Sequence, residues 1–258
     1  MSELPSVDRT RLAPARYLEA LDREVAALVA AARDLDAAVP GCPGWSVRDL
    51  LAHVVGVYRH KVAAIDADAE PSEPRGGWGS VVADEDVREV LRRTYDDLRA
   101  RLFARDAGSP AWTWWPPEQT LGFWQRRMAQ ETAVHRWDAE SAALGVAGAA
   151  PVDDDLAADG IDELLGWLTW EWGDDDAQPE ADGQTVLVST ADHSWRVTLR
   201  PTRVEVAPGD GDGDAFLAGG PSGLLLYLWG RPGEHGVATM GDAVALRLLR
   251  ARLLEAAN

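Results

Sequence analysis

Ser46-Val47-Arg48-Asp49-Leu50-Leu51-Ala52-His53-Val54-Val55 opens on a capping pattern and runs directly into apolar residues, which makes the N-terminal part of the chain helical. The Ser46 hydroxyl and the Asp49 carboxylate, three positions apart, can satisfy the free N–H groups at a helix start. The helix they begin is expected to reach about Asp66. Upstream, between Ala15 and Ala38, Leu18, Leu21, Val25, Leu28 and Val29 recur at three- and four-residue steps, the mark of an amphipathic helix. Pro40-Gly41 and Pro43-Gly44 end it. Downstream, past a Pro- and Gly-containing loop from Glu70 to Gly79, a third helix is predicted over 84–105, with Val87, Val90, Leu91, Tyr95, Leu98 and Leu102 on one side. A fourth is predicted over 118–144, stopped by Gly145 as a left-handed C-cap. Four helices joined by loops of about 8 to 18 residues read as a bundle.

A fifth helix, over 153–172, carries Leu156, Ile161, Leu164, Leu165 and Leu168, and composition then shifts at Gly173-Asp174-Asp175-Asp176. The linker is placed there, dividing the chain into a helical domain (1–173) and a smaller domain (184–258). In the latter, 185–189, 195–199 and 203–206 are short β-branched runs between turn residues, expected to form an antiparallel meander. Apolar helices over 222–229 and 242–255 complete a small α+β domain. The fold class is therefore α+β overall. The Asp210-Gly211-Asp212-Gly213-Asp214 run lacks the glycine and terminal acid of a calcium loop and is read as a turn.

A chain of 258 residues with 46% hydrophobic and 26% charged content is that of a folded protein. Its 25 Lys and Arg against 43 Asp and Glu give a formal charge of −18, which repels phosphate backbones and anionic lipid surfaces and excludes nucleic acid as an expected partner. Met1 to Thr10 has no basic segment followed by an apolar one, and no run of about 18 apolar residues occurs. The expectation is a cytoplasmic protein with no membrane association, monomeric or homodimeric. Cys42 is the single cysteine, so a metal site must be built from His and carboxylates. Set between Gly41 and Pro43 with no basic neighbour, Cys42 reads as structural.

Glu131 and His135 lie four residues apart on the fourth helix, so both side chains leave one face and can reach one ion. Such a pair can equally be a hydrogen-bonded surface pair, so the metal reading needs a third donor. His53, set among Leu50, Leu51, Val54 and Val55, supplies it unless it is a core histidine bonded to a carbonyl. Asp49, one turn earlier, could bond the second ring nitrogen and fix its tautomer, in competition with the cap at Ser46. Two histidines and one carboxylate leave a coordination position open, the arrangement of catalytic zinc, although iron, nickel or manganese accept the same donors. An ion there would acidify a bound water or thiol. His60, His193 and His235 read as surface residues. Five of the 12 tryptophans lie between Trp112 and Trp137, either walling a ligand cavity or packing the core.

Cys42-Pro43-Gly44-Trp45-Ser46-Val47-Arg48-Asp49-Leu50-Leu51-Ala52-His53 and Glu131-Thr132-Ala133-Val134-His135-Arg136-Trp137-Asp138 together resemble the mycothiol-dependent maleylpyruvate isomerase family of actinobacteria, within the DinB-like metalloenzymes. The resemblance spans nearly the whole chain and implies a DinB-like four-helix bundle followed by a sterol-carrier-like α+β domain. It implies zinc on His53, Glu131 and His135, with mycothiol as thiol cosubstrate attacking a small electrophile, in an isomerase or an S-transferase. It also implies an arginine of the C-terminal domain binding a substrate carboxylate, for which Arg231 is the candidate. A metal-dependent hydrolase using bound water and a non-catalytic small-ligand-binding protein are the alternatives.

Overall fold

A computed structural model of the chain describes residues 10–72, 78–79, 85–170, 172–173, 176–209 and 211–256. The N-terminal stretch through Arg9, most of the loop before the third helix, Asp174 and Asp175 of the acidic linker, and Asp210 lie outside the described residues.

The four expected N-terminal helices are present as α1 (Pro14–Ala31), α2 (Val47–Ala67), α3 (Val87–Phe103) and α4 (Leu121–Leu144). Helix α1 packs chiefly on α4, α2 on α3, and α2 also reaches α4. Leu21, Leu28, Leu50, Leu51, Leu91, Leu98, Leu102, Leu121 and Trp124 are buried in the unit these helices form. Pro14, at the first turn of α1, has no N–H to leave unsatisfied. Helix α1 ends seven residues before the expected Ala38. The Asp34 carboxylate accepts the Asp36 N–H at 3.1 Å, a local bond that competes with helix continuation. The chain then doubles back: Val39 N donates to Trp45 O and Val47 N to Ala37 O, each at 2.9 Å. Gly44 takes φ +87° in this turn, a backbone conformation open to glycine at little steric cost. The turn delivers Cys42 and Trp45 to the start of α2. There the expected capping box is complete, with Ser46 Oγ accepting from Asp49 N and Asp49 Oδ2 accepting from Ser46 N at 2.8 Å.

Contacts divide the chain into two compact units, one of Ala13–Ala150 and the other running from Pro151 onward together with the stretch that ends at Leu12. This boundary lies before α5 (Asp154–Trp167), not at Gly173 as expected. Helix α5 packs on α6 (Pro221–Leu228), Val152 N donates to Ser222 Oγ at 2.9 Å, and the Trp195 indole donates to Asp162 at 2.8 Å. The acidic residues after α5 marked a composition change, but the apolar face of the helix belongs to the later unit.

That unit holds a five-stranded sheet in the order β3-β2-β1-β4-β5, built from β1 (Thr185–Ser189), β2 (Ser194–Arg200), β3 (Arg203–Pro208), β4 (Ala215–Ala218) and β5 (Ala238–Gly241). The first three form the expected antiparallel meander. The sheet is nevertheless mixed, because β4 runs parallel to β1 and β5 pairs antiparallel with β4. Neither added strand has a readable pattern: Ala215-Phe216-Leu217-Ala218 is four residues long, and Ala238-Thr239-Met240-Gly241 is an exposed edge ending in glycine. Helix α7 (Ala243–Ala256) packs on β1, β2 and β4 through Ala245, Leu248, Leu249 and Leu253. Among the described residues no helix is long and apolar enough to cross a membrane.

Candidate metal centre

The backbone geometry of α2 and α4 brings the three sequence candidates together. His53 Nε2 lies 3.1 Å from Glu131 Oε1, and His135 Nε2 lies 3.3 Å from the same oxygen. Donor atoms of all three residues fall within 4.8 Å of one another. Two ligands about 2.1 Å from an ion and separated by a tetrahedral angle stand about 3.4 Å apart, so the observed separations fit a zinc-sized ion with little movement. The His53 and His135 rings meet edge to face with centroids 5.0 Å apart. The His53 side chain is 37% exposed, against 14% for Glu131 and 10% for His135, so solvent and small ligands reach the cluster from the His53 side. Trp45 flanks His53 there, with ring centroids 5.0 Å apart.

Asp49 does not take the role considered for it. Its carboxylate sits at the cap, exposed to solvent, bonded to the Ser46 backbone and to Ser46 Oγ at 2.6 Å. The carboxylate placed to orient His135 is Asp138, at the end of the Glu131–Asp138 segment. Asp138 is fully buried, and its Oδ2 lies 3.0 Å from His135 Nδ1. A carboxylate at that position favours the proton on Nδ1, which in the neutral ring turns the Nε2 lone pair towards the other two candidates. The signal was available in the sequence: Asp138 follows His135 by three residues, on the same side of the helix. Cys42 Sγ donates to the same Asp138 oxygen at 3.5 Å, a contact that the turn before α2 creates and that no local pattern indicates.

Arg127, one turn before Glu131, pairs with Glu131 Oε2. Arg127, Glu131 and His135 thus form a stripe at four-residue intervals along α4. Burial alone would favour a neutral Glu131, but the Arg127 charge and the hydrogen bonds from His135 and His53 outweigh it, holding the carboxyl well below its usual range. For His135 burial likewise opposes the charge, and the bonds to Asp138, Cys42 and Glu131 overcome that opposition and raise its pKa well above the ordinary histidine value. An ion at Nε2 would compete with a proton on that ring.

The other histidines do not join the cluster. His60, expected at the surface, is buried, with Nδ1 3.1 Å from Lys61 Nζ and its ring edge-on to Trp78. His235 Nε2 bonds the Arg231 carbonyl at 2.9 Å. Arg231 itself lies in the second compact unit, half-buried in the turn after α6, with Nη1 donating to Trp229 O at 3.2 Å. Most tryptophans of the central cluster pack on one another or on Phe123: Trp112 on Trp124, Trp114 on Trp115, and Phe123 between Trp114 and Trp124. A separate cleft of about 430 Å³ between α2 and α3 is lined by Arg59, Asp66, Trp78 and Arg93 among others, and by none of the three donors.

Residues 18–140 match the family described as the mycothiol maleylpyruvate isomerase N-terminal domain. No curated protein matches the sequence. Among solved structures, the mycothiol-dependent maleylpyruvate isomerase is similar to this chain at 16% identity and a TM-score of 0.59, covering 90% of this chain and 95% of that one. A histidine-to-alanine variant of that isomerase is similar at 14% identity and a TM-score of 0.60, with the same coverage. At these identities the likeness is one of fold.

Proposed function

We propose, from the premise that the helical region over residues 18–140 belongs to the mycothiol maleylpyruvate isomerase N-terminal domain family, that this chain is a metal- and mycothiol-dependent enzyme acting on a small electrophile. The observation that carries the reading is the convergence of His53 Nε2 and His135 Nε2 on one oxygen of Glu131, beside a buried carboxylate that orients His135. A divalent ion held by these three residues, zinc by preference, would supply a Lewis acid at which a thiol ionises near neutral pH.

The residues divide the remaining work. Asp138 would favour the Nδ1–H tautomer of His135 and turn Nε2 towards the ion. Glu131 brings one negative charge, and Arg127 beside it keeps that carboxyl ionised despite burial. Trp45 shields one side of His53, while the exposed part of His53 marks the approach for thiol and substrate.

Mycothiol, if bound beside the ion, would supply a nucleophilic thiolate for reversible conjugate addition to an electrophile such as maleylpyruvate, with the electron pair of the double bond passing to the conjugated carbonyl as an enolate. Rotation about the resulting single bond and collapse of the enolate would give the trans product and return the thiolate. Where elimination does not follow, sulfur stays on carbon and the reaction is an S-transfer. A dianionic substrate calls for guanidinium partners. Arg231 is assigned that role on the family resemblance alone.

The test is to follow maleylpyruvate by proton NMR with zinc-loaded protein, with and without mycothiol. Thiol-dependent appearance of fumarylpyruvate supports the isomerase, and a stable thioether supports the transferase. Hydrolysis of ester or amide substrates that proceeds without thiol moves the reading to a water-using hydrolase, and ligand binding without turnover moves it to a binding protein.

A further inference from the structure

The two oxygens of the Glu131 carboxylate are used differently. Oε1 faces both imidazoles, at 3.1 Å from His53 Nε2 and 3.3 Å from His135 Nε2. Oε2 points the other way and is paired with the Arg127 guanidinium. Both partners are held firmly, since the Arg127 side chain is 9% exposed and that of Glu131 14%. A carboxylate beside an ion can coordinate through one oxygen or both, and the choice decides how many positions remain for exogenous ligands. For Oε2 to join Oε1 on an ion, it would have to give up its buried pairing with the Arg127 guanidinium or carry that cation towards the metal. Either is costly in a site from which solvent is largely removed.

We infer that Arg127 is a positioning residue that restricts Glu131 to one-oxygen coordination and thereby keeps a place at the metal open for the thiol. This inference rests on the metal reading above and adds to it the part that decides whether a bound ion is an open or a closed site. A guanidinium suits the task because its fixed planar donors hold a carboxylate oxygen in direction as well as in distance. The residue touches neither thiol nor substrate in this account; it acts through Glu131.

Cobalt(II) in place of zinc tests the inference directly, because its visible absorption weakens as ligands are added to a four-coordinate site. Wild-type protein, Arg127→Gln and Arg127→Lys are loaded with cobalt, their spectra recorded, and each is titrated with mycothiol, with circular dichroism confirming the fold. Wild type and Arg127→Gln are expected to take up equal cobalt. The visible absorption of Arg127→Gln should fall as the second carboxylate oxygen coordinates, and its thiol binding should weaken by about 10–100-fold, the range for residues that orient ligands.

Arg127→Lys, which keeps the charge without the planar fork, should lie between the two in both readouts, and it carries the test if Arg127→Gln does not fold. A merely structural role would loosen cobalt in the variants and leave the spectrum and thiol affinity of the loaded fraction unchanged, which overturns the inference. Identical spectra and thiol binding in all three overturn it also, with the metal reading intact. Failure of the wild type to bind cobalt overturns both together.

Discussion

Replacing Asp138 by Asn isolates the part of the site that was not assigned from sequence. The Asp138 carboxylate is fully buried and accepts from His135 Nδ1 at 3.0 Å and from Cys42 Sγ at 3.5 Å. An amide of the same shape keeps the packing but can offer an N–H to Nδ1, stabilising the tautomer in which Nε2 carries the proton and cannot coordinate. Losing such an orienting partner lowers metal affinity by about 10–100-fold, which is about 1.4–2.7 kcal/mol.

The pH dependence follows from the raised pKa of His135. Metal binding to the parent protein competes with a proton on that ring, so affinity falls as pH drops through its titration. In the Asp138→Asn variant the imidazolium loses its chief support and proton competition weakens. The deficit of the variant is therefore smallest at low pH and grows as pH rises. Competition against a chromophoric chelator from pH 6 to 9 measures both affinities. Equal affinities across that range, in a variant with unchanged circular dichroism, would refute the reasoning.

Arg136 and Glu24 form a buried pair between α4 and α1, with Nε to Oε2 at 2.6 Å, and Arg136 Nη1 also donates to Glu140 at 2.9 Å. Arg136→Met removes the buried partner of Glu24 and leaves it the half-exposed Arg23, whose Nη2 donates to Oε1 at 3.3 Å. The cost in urea denaturation is therefore expected to be measurable but below the roughly 3–5 kcal/mol of a fully unpaired buried charge; a cost near zero would remove this pair from the account of bundle stability. Ser46→Ala removes the hydroxyl that caps α2 and should cost about 1 kcal/mol by the same assay. The Asp22 carboxyl is held below its ordinary pKa chiefly by its hydrogen bonds from Arg99, which outweigh the opposing effect of burial, with a lesser contribution from Tyr95. A carboxyl lowered in the folded state stabilises above its unfolded pKa and loses that contribution as pH falls through the folded one. Because the pair is largely exposed, Asp22→Asn should cost less than about 1 kcal/mol at pH 7, a difference that shrinks below about pH 4 in parallel urea titrations.

Much of the bundle was legible because each helix announces itself by local chemistry: the Ser46 and Asp49 cap, the apolar stripes of α1 and α3, and the glycine after α4. The meeting of Glu131 and His135 was legible for the same reason, since they share a helical face, whereas local pattern left His53 open between a core histidine and a ligand, and the family resemblance brought the three together. What escaped depends on contacts distant in sequence. Cys42 meets Asp138 across 96 positions, through a turn whose course is set by the early end of α1. The assignment of α5 to the second unit rests on α6 and on Trp195, far along the chain. Strands β4 and β5 were missed because short strands carry too little alternation to be read, and their place is fixed by partners: Val186 opposite Ala215, and Phe216 opposite Met240. His60 read as a surface residue beside Arg59 and Lys61, yet it is buried against Trp78.

The central claim is that His53, Glu131 and His135 hold one ion at which a thiol is activated. Protein purified without chelators, beside a His53→Ala/His135→Ala variant, can be analysed for metal by plasma emission spectrometry and titrated with mycothiol by calorimetry. The account predicts about one zinc per chain, lost in the variant, and thiol binding that requires the metal. Folded wild-type protein that carries no metal and takes up none when zinc is supplied would contradict it.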